Sequence, residues 1–303
     1  IAAGGEVAGF IDTTPGGRLR EVLPALLRNA AFLHGAGDLL KGLSWQQRVR
    51  RSGTMRVAGG RLIEARGGDR LREIVYSDAR GRVRQAPAAH LLVHEGIVPA
   101  IHIPLALNCL LEWNESLACF QPRIDEWGEL SVPGLFVAGD GAAIGGAKAA
   151  LHKGRIAAIR IAQRLRGRTD EESAGRARPH FKALRQALSL QPFLQALYRP
   201  GQGLQPMSDD TTLCRCESVP AGTIRGLIEA GALDPNEVKA FTRFGMGPCQ
   251  GRQCAYSLNR MLAEGHDRSP GEVGLFRIRP PLKPLSLGQL ARLGTSEARH
   301  DSV

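Results

Sequence analysis

Apolar and polar positions alternate in two different ways along the chain, which divides it into a strand-rich part and a helical part. A short apolar strand is predicted at Val7 to Asp12, and apolar positions three and four residues apart predict a helix from Leu19 to Leu33. Between Met55 and Leu92, short alternating runs separated by glycine-containing turns predict a meander of strands. Its strands are expected at 54–57, 61–64, 72–76 and 90–94.

A strand–turn–helix unit is predicted in the middle of the chain. A buried strand is expected at Leu135 to Ala138, a tight turn at Gly139, Asp140 and Gly141, and a helix from about Gly145 to Leu165. The residues expected to form one face of that helix are Ala147, Leu151, Gly154, Ala158, Ile161 and Leu165.

The start of this helix is a candidate cofactor-binding position. A helix N-terminus offers free N–H groups and the positive end of the helix dipole. Gly145, Gly146 and Ala147 have little bulk, so a cofactor could lie close to the backbone there. Asp140 would repel a phosphate but could accept a hydrogen bond from a sugar or ribityl hydroxyl. An ordinary aspartate turn after a buried strand is the alternative.

The last third of the chain is predicted to hold a separate, compact helical module. Residues 166–178 are charged and lack periodicity, which predicts a domain boundary, and a helix is expected from about Pro179 to Leu197. Within the module, Ser218 is expected to cap a first helix that stops at Gly231. Asp234-Pro235 begins a second helix, and Cys254 begins a third that ends at Gly265.

Four cysteines in this module have the spacing of metal ligands. Cys214 and Cys216 are separated by one residue, and Cys249 and Cys254 by four. A Cys-x-Cys pair is too tight for an ordinary disulfide but can place two sulfurs on one iron, which favours a [2Fe–2S] cluster. Zinc usually takes Cys-x₂₋₄-Cys in both halves and is the second interpretation, while two disulfides are the third.

The glycine-rich loop before Cys249 would let backbone N–H groups approach the sulfurs and tune the cluster's potential. Cys109 and Cys119 have no partners in ligand spacing and are expected to be buried as small apolar residues. The prolines at 280, 281 and 284 predict an extended C-terminal segment that packs on a neighbouring domain or subunit.

Composition and charge narrow the possible functions. The net charge of +11 invites a nucleic-acid interpretation, but the basic residues are scattered and only 5% of residues are aromatic, so stacking platforms are scarce. No apolar run approaches the roughly 20 residues of a membrane-spanning helix. Cysteines in ligand spacing suit a reducing compartment, so the expected location is cytoplasmic. The chain starts in mid-pattern at Ile1, and we expect a further N-terminal portion to precede it.

Together, these motifs resemble a known family of flavoproteins. Cys214-x-Cys216, Gly245-Met-Gly-Pro-Cys249 and Cys254 resemble the BFD-type [2Fe–2S] domain. The run from Val137 to Gly141, with Gly145-Gly-Ala147, resembles the second FAD motif of the two-dinucleotide-fold flavoproteins. Their order resembles the FAD- and [2Fe–2S]-containing component of heteromeric amine dehydrogenases, the family of opine oxidase, hydroxyproline dehydrogenase and hydrogen cyanide synthase.

The resemblance implies an α/β fold, in which a partial two-dinucleotide-binding, Rossmann-like flavoprotein fold precedes a small, mainly helical BFD-like domain. It also implies that the four cysteines of the module ligate the cluster. Gly139, Asp140 and Gly141 would contact the ribityl–pyrophosphate part of FAD, with Gly146 and Ala147 at the flavin end. The family's N-terminal glycine-rich motif for the ADP half of FAD is missing here.

The domain organisation that follows has five parts. The expected divisions are a partial NAD(P)-binding-like central domain at 1–100, the C-terminal part of an FAD-binding domain at 101–168, a helical linker at 169–208, a BFD-like [2Fe–2S] domain at 209–270 and an extended tail at 271–303.

The expected function is that of an oxidoreductase subunit. An FAD-containing partner would oxidise a secondary amine or amino acid in a heteromeric complex, and this chain would relay the electrons; no general base or nucleophile stands out in it. NAD(P) binding is possible. The alternatives are a self-contained NAD(P)H-dependent flavin reductase and a non-enzymatic binding module that a zinc ion holds together.

Overall fold

The computed structural model describes residues 7–14, 17–28, 34–94, 96–200 and 207–293. The strands are β1 (Gly9–Asp12), β2 (Met55–Ala58), β3 (Arg61–Gly67), β4 (Leu71–Ser77), β5 (Val83–Pro87), β6 (Leu111–Asn114), β7 (Cys119–Pro122), β8 (Thr212–Cys214) and β9 (Val219–Pro220). The helices are α1 (Arg18–Arg28), α2 (Ala36–Arg51), α3 (His102–Ala106), α4 (Gly146–Arg166), α5 (Asp170–Ala187), α6 (Gln191–Leu197), α7 (Ala221–Glu229), α8 (Pro235–Thr242), α9 (Ala255–Gly265), α10 (Pro270–Val273) and α11 (Leu287–Leu293).

The chain divides into two compact units, each made from several segments. The first takes its described residues from Ile1–Val98, Ala138–Asp140 and Ile144–Pro200. The second takes them from Pro99–Val137, Gly141–Ala143 and Gly201–Val303. Among the described helices, none is long and apolar enough to cross a membrane.

The first unit contains the predicted strands. β1 pairs with β2 in parallel, and β3, β4 and β5 form an antiparallel meander in that order. The turn between β4 and β5 is fixed by Asp78, whose carboxylate accepts the N–H groups of Arg80 and Arg82 at 2.9 and 3.1 Å. The predicted helix from Leu19 is confirmed as α1, which is described to Arg28; residues 29–33 lie outside the described residues.

The prediction of one strand in the meander is wrong. Residues 90–94 form no strand, and the third strand of the sheet is β5, which pairs with β4 from Ser77–Val83 to Glu73–Pro87. Most of β5 is exposed, and its sequence Val-Arg-Gln-Ala-Pro does not alternate apolar with polar residues, so its strand conformation comes from backbone pairing with β4. Leu92, part of the apolar run at 90–94, is 97% exposed.

The helix predicted from Gly145 to Leu165 is confirmed as α4, but the residues expected on its apolar face are not the buried ones. The side chains that α4 buries are Ala149, Ile156, Ala157 and Gln163, whereas Leu151 and Leu165 are 52% and 81% exposed. Apolar spacing therefore located the helix correctly without showing which side of it meets a neighbour.

The buried strand predicted at Leu135 to Ala138 is also wrong. These residues contribute only an isolated bridge between Phe136 and Glu129. The chain turns just before them, where the N–H of Gly134 donates to the Glu129 carboxylate at 2.7 Å. A turn this close to the apolar residues leaves too little extended chain for a strand.

The charged segment at 166–178, which lacks apolar periodicity, is mostly helical. Thr169 caps α5: its hydroxyl accepts the N–H of Glu172 at 3.2 Å, and the Glu172 carboxylate accepts the N–H of Thr169 at 3.4 Å. This is the capping-box pattern Thr-x-x-Glu, which starts a helix even in a polar sequence. The helix then runs through Pro179, so the helix start predicted there is wrong.

We expect Thr169→Ala to lower the free energy of unfolding of the first unit by about 1 kcal/mol, because it leaves N–H groups of α5 without an acceptor. Chemical denaturation followed by circular dichroism measures the change. Thr169→Ser retains the hydroxyl and should cost much less. Equal losses in the two variants would contradict a capping role for the hydroxyl.

The second unit contains a compact helical module around one hydrophobic core. Its fully buried members include Ile224, Val238, Phe244, Leu258 and Leu262. The predicted second and third helices are confirmed as α8 and α9; Asp234 forms a capping box with Glu237, and Pro235 is the first helical residue. The predicted cap Ser218 is wrong, since α7 begins after Pro220 and Ser218 has a positive φ of 54°.

The C-terminal segment differs from the expected extended tail. It contains α10 and α11, and the residues between them return to the core of the same module. Phe276 is 1% exposed, and the Arg277 backbone bonds to α8 through Asn236 Oδ1 (2.8 Å) and Lys239 Nζ (2.6 Å). The segment therefore belongs to the module's own packing. The five predicted domain limits remain a prediction.

Candidate metal centre and glycine-rich turn

Four separate positions of the module carry the candidate metal ligands. Cys214 ends β8, Cys216 lies two residues later, Cys249 lies in the loop after α8, and Cys254 is the residue before α9. Cys214 and Cys254 are each 1% exposed, Cys249 is half-buried, and Cys216 is exposed. The site therefore has one side against the hydrophobic core and one side open to solvent.

The thiols meet in two pairs, and each pair takes one cysteine from each sequence motif. The Cys254 thiol is hydrogen bonded to Cys214, and the Cys216 thiol to Cys249. Cys254 also experiences the charges of Cys216 and Cys249, so all four sulfurs interact. Within the described ranges, no three His, Cys, Asp or Glu side chains form a ready-made group around one metal ion. Four interacting sulfurs match the number of protein ligands that a two-iron centre requires.

Backbone N–H groups surround the sulfurs. The N–H of Gly245 donates to the Cys214 sulfur at 3.4 Å in a buried position. Burial raises the pKa of Cys249, but the N–H of Gln253, the Cys216 thiol and the N–H groups of Gly251 and Arg252 together lower that pKa below its usual value. Such donors favour thiolate, the form of cysteine that binds metal.

The pKa values of two other thiols, Cys216 and Cys254, are raised when no metal compensates their charge. Burial, followed by the charge and hydrogen bond of Cys214, raises the pKa of Cys254. The N–H of Cys249 lowers the pKa of Cys216, but the Cys249 thiol, burial and the charge of Cys214 raise it overall. A cationic centre would remove this mutual repulsion and release the protons. The donor set and the N–H groups around it therefore fit an iron–sulfur cluster.

Glycines in the loop leave room for the ligands and for one aromatic ring. A Cβ on Gly247 would overlap the Cβ of Cys216 and lie 3.3 Å from its sulfur. Gly245 and Gly251 have positive φ, and a Cβ on either would overlap the Phe276 ring. Phe276 thus supports the loop that carries two of the cysteines, a role that the sequence analysis missed because no local pattern connects these positions.

We expect Gly247→Ala to lower the iron content of the purified chain, because the new methyl group displaces Cys216 at a cost of about 1–3 kcal/mol. Iron analysis of proteins prepared in parallel measures the change. Gly226→Ala is the matched control: a Cβ there meets nothing within 4 Å, and alanine favours the helix. Normal iron content in Gly247→Ala would contradict the close fit.

The two remaining cysteines are buried, as predicted. Cys109 is 6% exposed and Cys119 is fully buried. Burial raises the pKa of Cys119 to about 11, so its thiol stays protonated at neutral pH. Neither residue contributes to the interactions of the four candidate ligands.

The predicted cofactor-binding turn forms a single 3₁₀ turn at Gly139, Asp140 and Gly141, and α4 begins at Gly146. The N–H of Gly145 donates to the Asp140 carboxylate at 3.3 Å, which ties the turn to the helix start. Gly146 has a φ of 79°, and a Cβ there would meet nothing within 4 Å. Ala147 is exposed, so the start of α4 is not covered by side chains of its own segment.

Lys153 is a further charged residue that the sequence analysis missed. It lies two turns into α4, where burial lowers the pKa of its amine and the charge of Asp140 partly raises it. The Lys153 amine therefore lies close enough to Asp140 for the carboxylate charge to affect the pKa of the amine. The sequence offers no signal for this pair, because thirteen positions separate the two residues.

One domain of the chain matches a known family, and the fold of the chain is similar to a solved structure. Residues 212–264 match the BFD-like [2Fe–2S] binding domain, a range that contains all four candidate ligands. Among solved structures, L-proline dehydrogenase from P. horikoshii is similar, with a TM-score of 0.63 and 20% identity; the match covers 83% of this chain and 48% of that chain. The predicted fold class, an α/β, partial two-dinucleotide-binding (Rossmann-like) flavoprotein fold followed by a small, mainly helical BFD-like domain, is confirmed.

The particular relatives are components of two enzymes. The chain is 40% identical to the A subunit of opine oxidase from Rhizobium meliloti (strain 1021), covering 97% of this chain and 63% of the relative. It is 29% identical to the HcnB subunit of hydrogen cyanide synthase from Pseudomonas aeruginosa, also covering 97% and 63%. The chain thus spans less than two thirds of these relatives' length. The predicted resemblance to this group of oxidoreductase subunits is confirmed.

Proposed function

We propose that the chain is an FAD- and [2Fe–2S]-dependent oxidoreductase subunit. It relays electrons while a heteromeric complex oxidises a secondary amine or an amino acid of the opine or hydroxyproline type. The observation that carries the proposal is the set of four interacting thiols in a BFD-like domain, two of them buried, with backbone N–H groups donating to Cys214 and Cys249. The similarity to the A subunit of opine oxidase supports the substrate class.

In this proposal the cluster is held by Cys214, Cys216, Cys249 and Cys254. When bound, it supplies one-electron transfer, whereas a flavin accepts two electrons. The buried pair fixes the centre to the core, and the N–H groups near Cys214 and Cys249 stabilise negative charge on the sulfurs. The exposed side at Cys216 leaves a short route for electrons to a neighbouring group.

FAD is proposed to contact the glycine-rich turn and the start of α4. Asp140 is exposed and would accept a hydrogen bond from a ribityl hydroxyl, while Gly139 and Gly141 allow the turn to lie close to the cofactor. Gly145, Gly146 and Ala147 leave the N-terminus of α4 uncovered by bulky side chains. These contacts would orient the cofactor, and the amine chemistry itself is assigned to an FAD-containing partner subunit.

Anaerobic titration of the purified full chain tests this division of labour. Dithionite should bleach the cluster and flavin bands, whereas a secondary amine such as an opine should bleach neither, because its oxidation needs the partner. Bleaching by the amine alone would contradict the proposal. Rapid bleaching by NADH alone would instead identify a self-contained flavin reductase.

A further inference from the structure

A groove between α4 and α5, within the first unit, has a small apolar floor and a basic rim. Its volume is about 470 Å³, which lies within the range of small-molecule sites. The α4 wall is a single helical stripe with spacing of three and four residues, formed by Arg155, Ala158, Ile159 and Ala162. The floor is therefore apolar and small, and the arginine stands at one end of it.

The rim concentrates positive charge. Arg176 and His180 come from successive turns of α5, Arg168 comes from the turn between the two helices, and Arg155 completes the set. Among the residues that the structure describes, no carboxylate pairs with any of the three arginines. Of the three acidic residues in the first turn of α5, Asp170 bonds to Arg160 at 2.9 Å and Glu172 accepts the N–H of Thr169 in the capping box.

The positive charges beside the groove also affect the pKa of His180. Burial, followed by the charges of Arg155 and His152, lowers the pKa of His180. The rings of His152 and His180 lie 5.7 Å apart. The Nδ1 atom of His152 is buried without a hydrogen-bond partner among the described residues. His152 does not line the groove, but an anionic ligand would offset the charge of the three arginines that do.

We propose that this groove binds the phosphate group of a small phosphate ester, whose uncharged part lies over Ala158, Ile159 and Ala162. A guanidinium group matches phosphate with two parallel hydrogen bonds, and a dianion offsets several cations at once. The apolar floor favours an ester over inorganic phosphate, because the free ion would leave that surface uncovered. The groove shares no residue with the candidate metal centre, and the inference does not rest on the proposed function.

Isothermal titration of the full chain at low salt with three probes tests the site. Adenosine 5′-monophosphate should bind with a dissociation constant below about 1 mM, inorganic phosphate should bind more weakly, and adenosine should show no saturable binding. Added salt should weaken the interaction, since the charges are on the rim. Phosphate binding as tight as the monophosphate would overturn the assignment to an ester, and no saturable binding would overturn the site.

Two arginine variants on the same helix locate the binding. Arg176→Gln should weaken adenosine 5′-monophosphate binding at least about tenfold, because a charge-assisted contact is lost. Arg178→Gln removes the same charge from an exposed position of α5 that does not line the groove, and it should change binding less than about twofold. Equal effects in the two variants, or none in Arg176→Gln, would overturn the proposal. Circular dichroism checks that both variants fold.

Discussion

Replacing Cys254 by alanine should remove nearly all iron from the protein. Its sulfur is buried at the start of α9 and interacts with the other three thiols, so no nearby group can take its place as a ligand. The chain should also unfold more readily, because a cluster that binds only the folded module stabilises that state. Iron and acid-labile sulfide analysis, with thermal unfolding of the same samples, measures both effects.

The control for this variant is Cys109→Ala in the same unit. Cys109 is equally a buried free thiol, at 6% exposure, but it makes none of the sulfur contacts of the centre. It should retain full iron content and sulfide content. Loss of iron in both variants, or in neither, would contradict the assignment of the ligands.

Replacing Phe276 by alanine should be the most damaging change that leaves all four thiols in place. The ring is buried, contacts the backbone at Gly245 and Gly251, and lies 5.4 Å beneath the Lys239 amine. Truncating a buried phenylalanine costs about 3–5 kcal/mol, and here the cavity would open directly behind the cysteine loop. We expect the cluster absorption to be lost at a clearly lower urea concentration than in the unchanged chain.

Phe241→Ala provides the comparison, since Phe241 lies in the same module but is 75% exposed. Removing its ring should lower the free energy of unfolding by no more than about 0.5 kcal/mol. Similar urea midpoints for the two phenylalanine variants would show that Phe276 does not support the loop. Both measurements use the full chain and follow the same absorption band.

Local sequence signals predicted the metal module well. Asp234-Pro235 marks a helix start that the structure contains, because capping and a first-turn proline act within one turn of the chain. The same kind of signal is present at Thr169 and Glu172, but the surrounding charged residues lack the apolar periodicity of a helix, so the prediction failed there. The capping box outweighs the polar composition of that segment.

Features that depend on distant partners could not be read from the sequence. Phe276 meets Gly245 and Gly251 across more than twenty residues, and nothing near Phe276 indicates that contact. The strand β5 exists because β4 lies beside it, and its own residues show no apolar alternation. The cysteine spacing predicted a set of four ligands and grouped Cys214 with Cys216, whereas the thiol interactions pair Cys214 with Cys254 and Cys216 with Cys249.

The most direct test of the central claim is low-temperature electron paramagnetic resonance of the dithionite-reduced full chain, with iron, sulfide and zinc measured on the same sample. A [2Fe–2S] centre held by the four cysteines predicts about two irons and two sulfides per chain and one unpaired spin after reduction. A chain prepared anaerobically that contains stoichiometric zinc, without sulfide and without a signal, would contradict it.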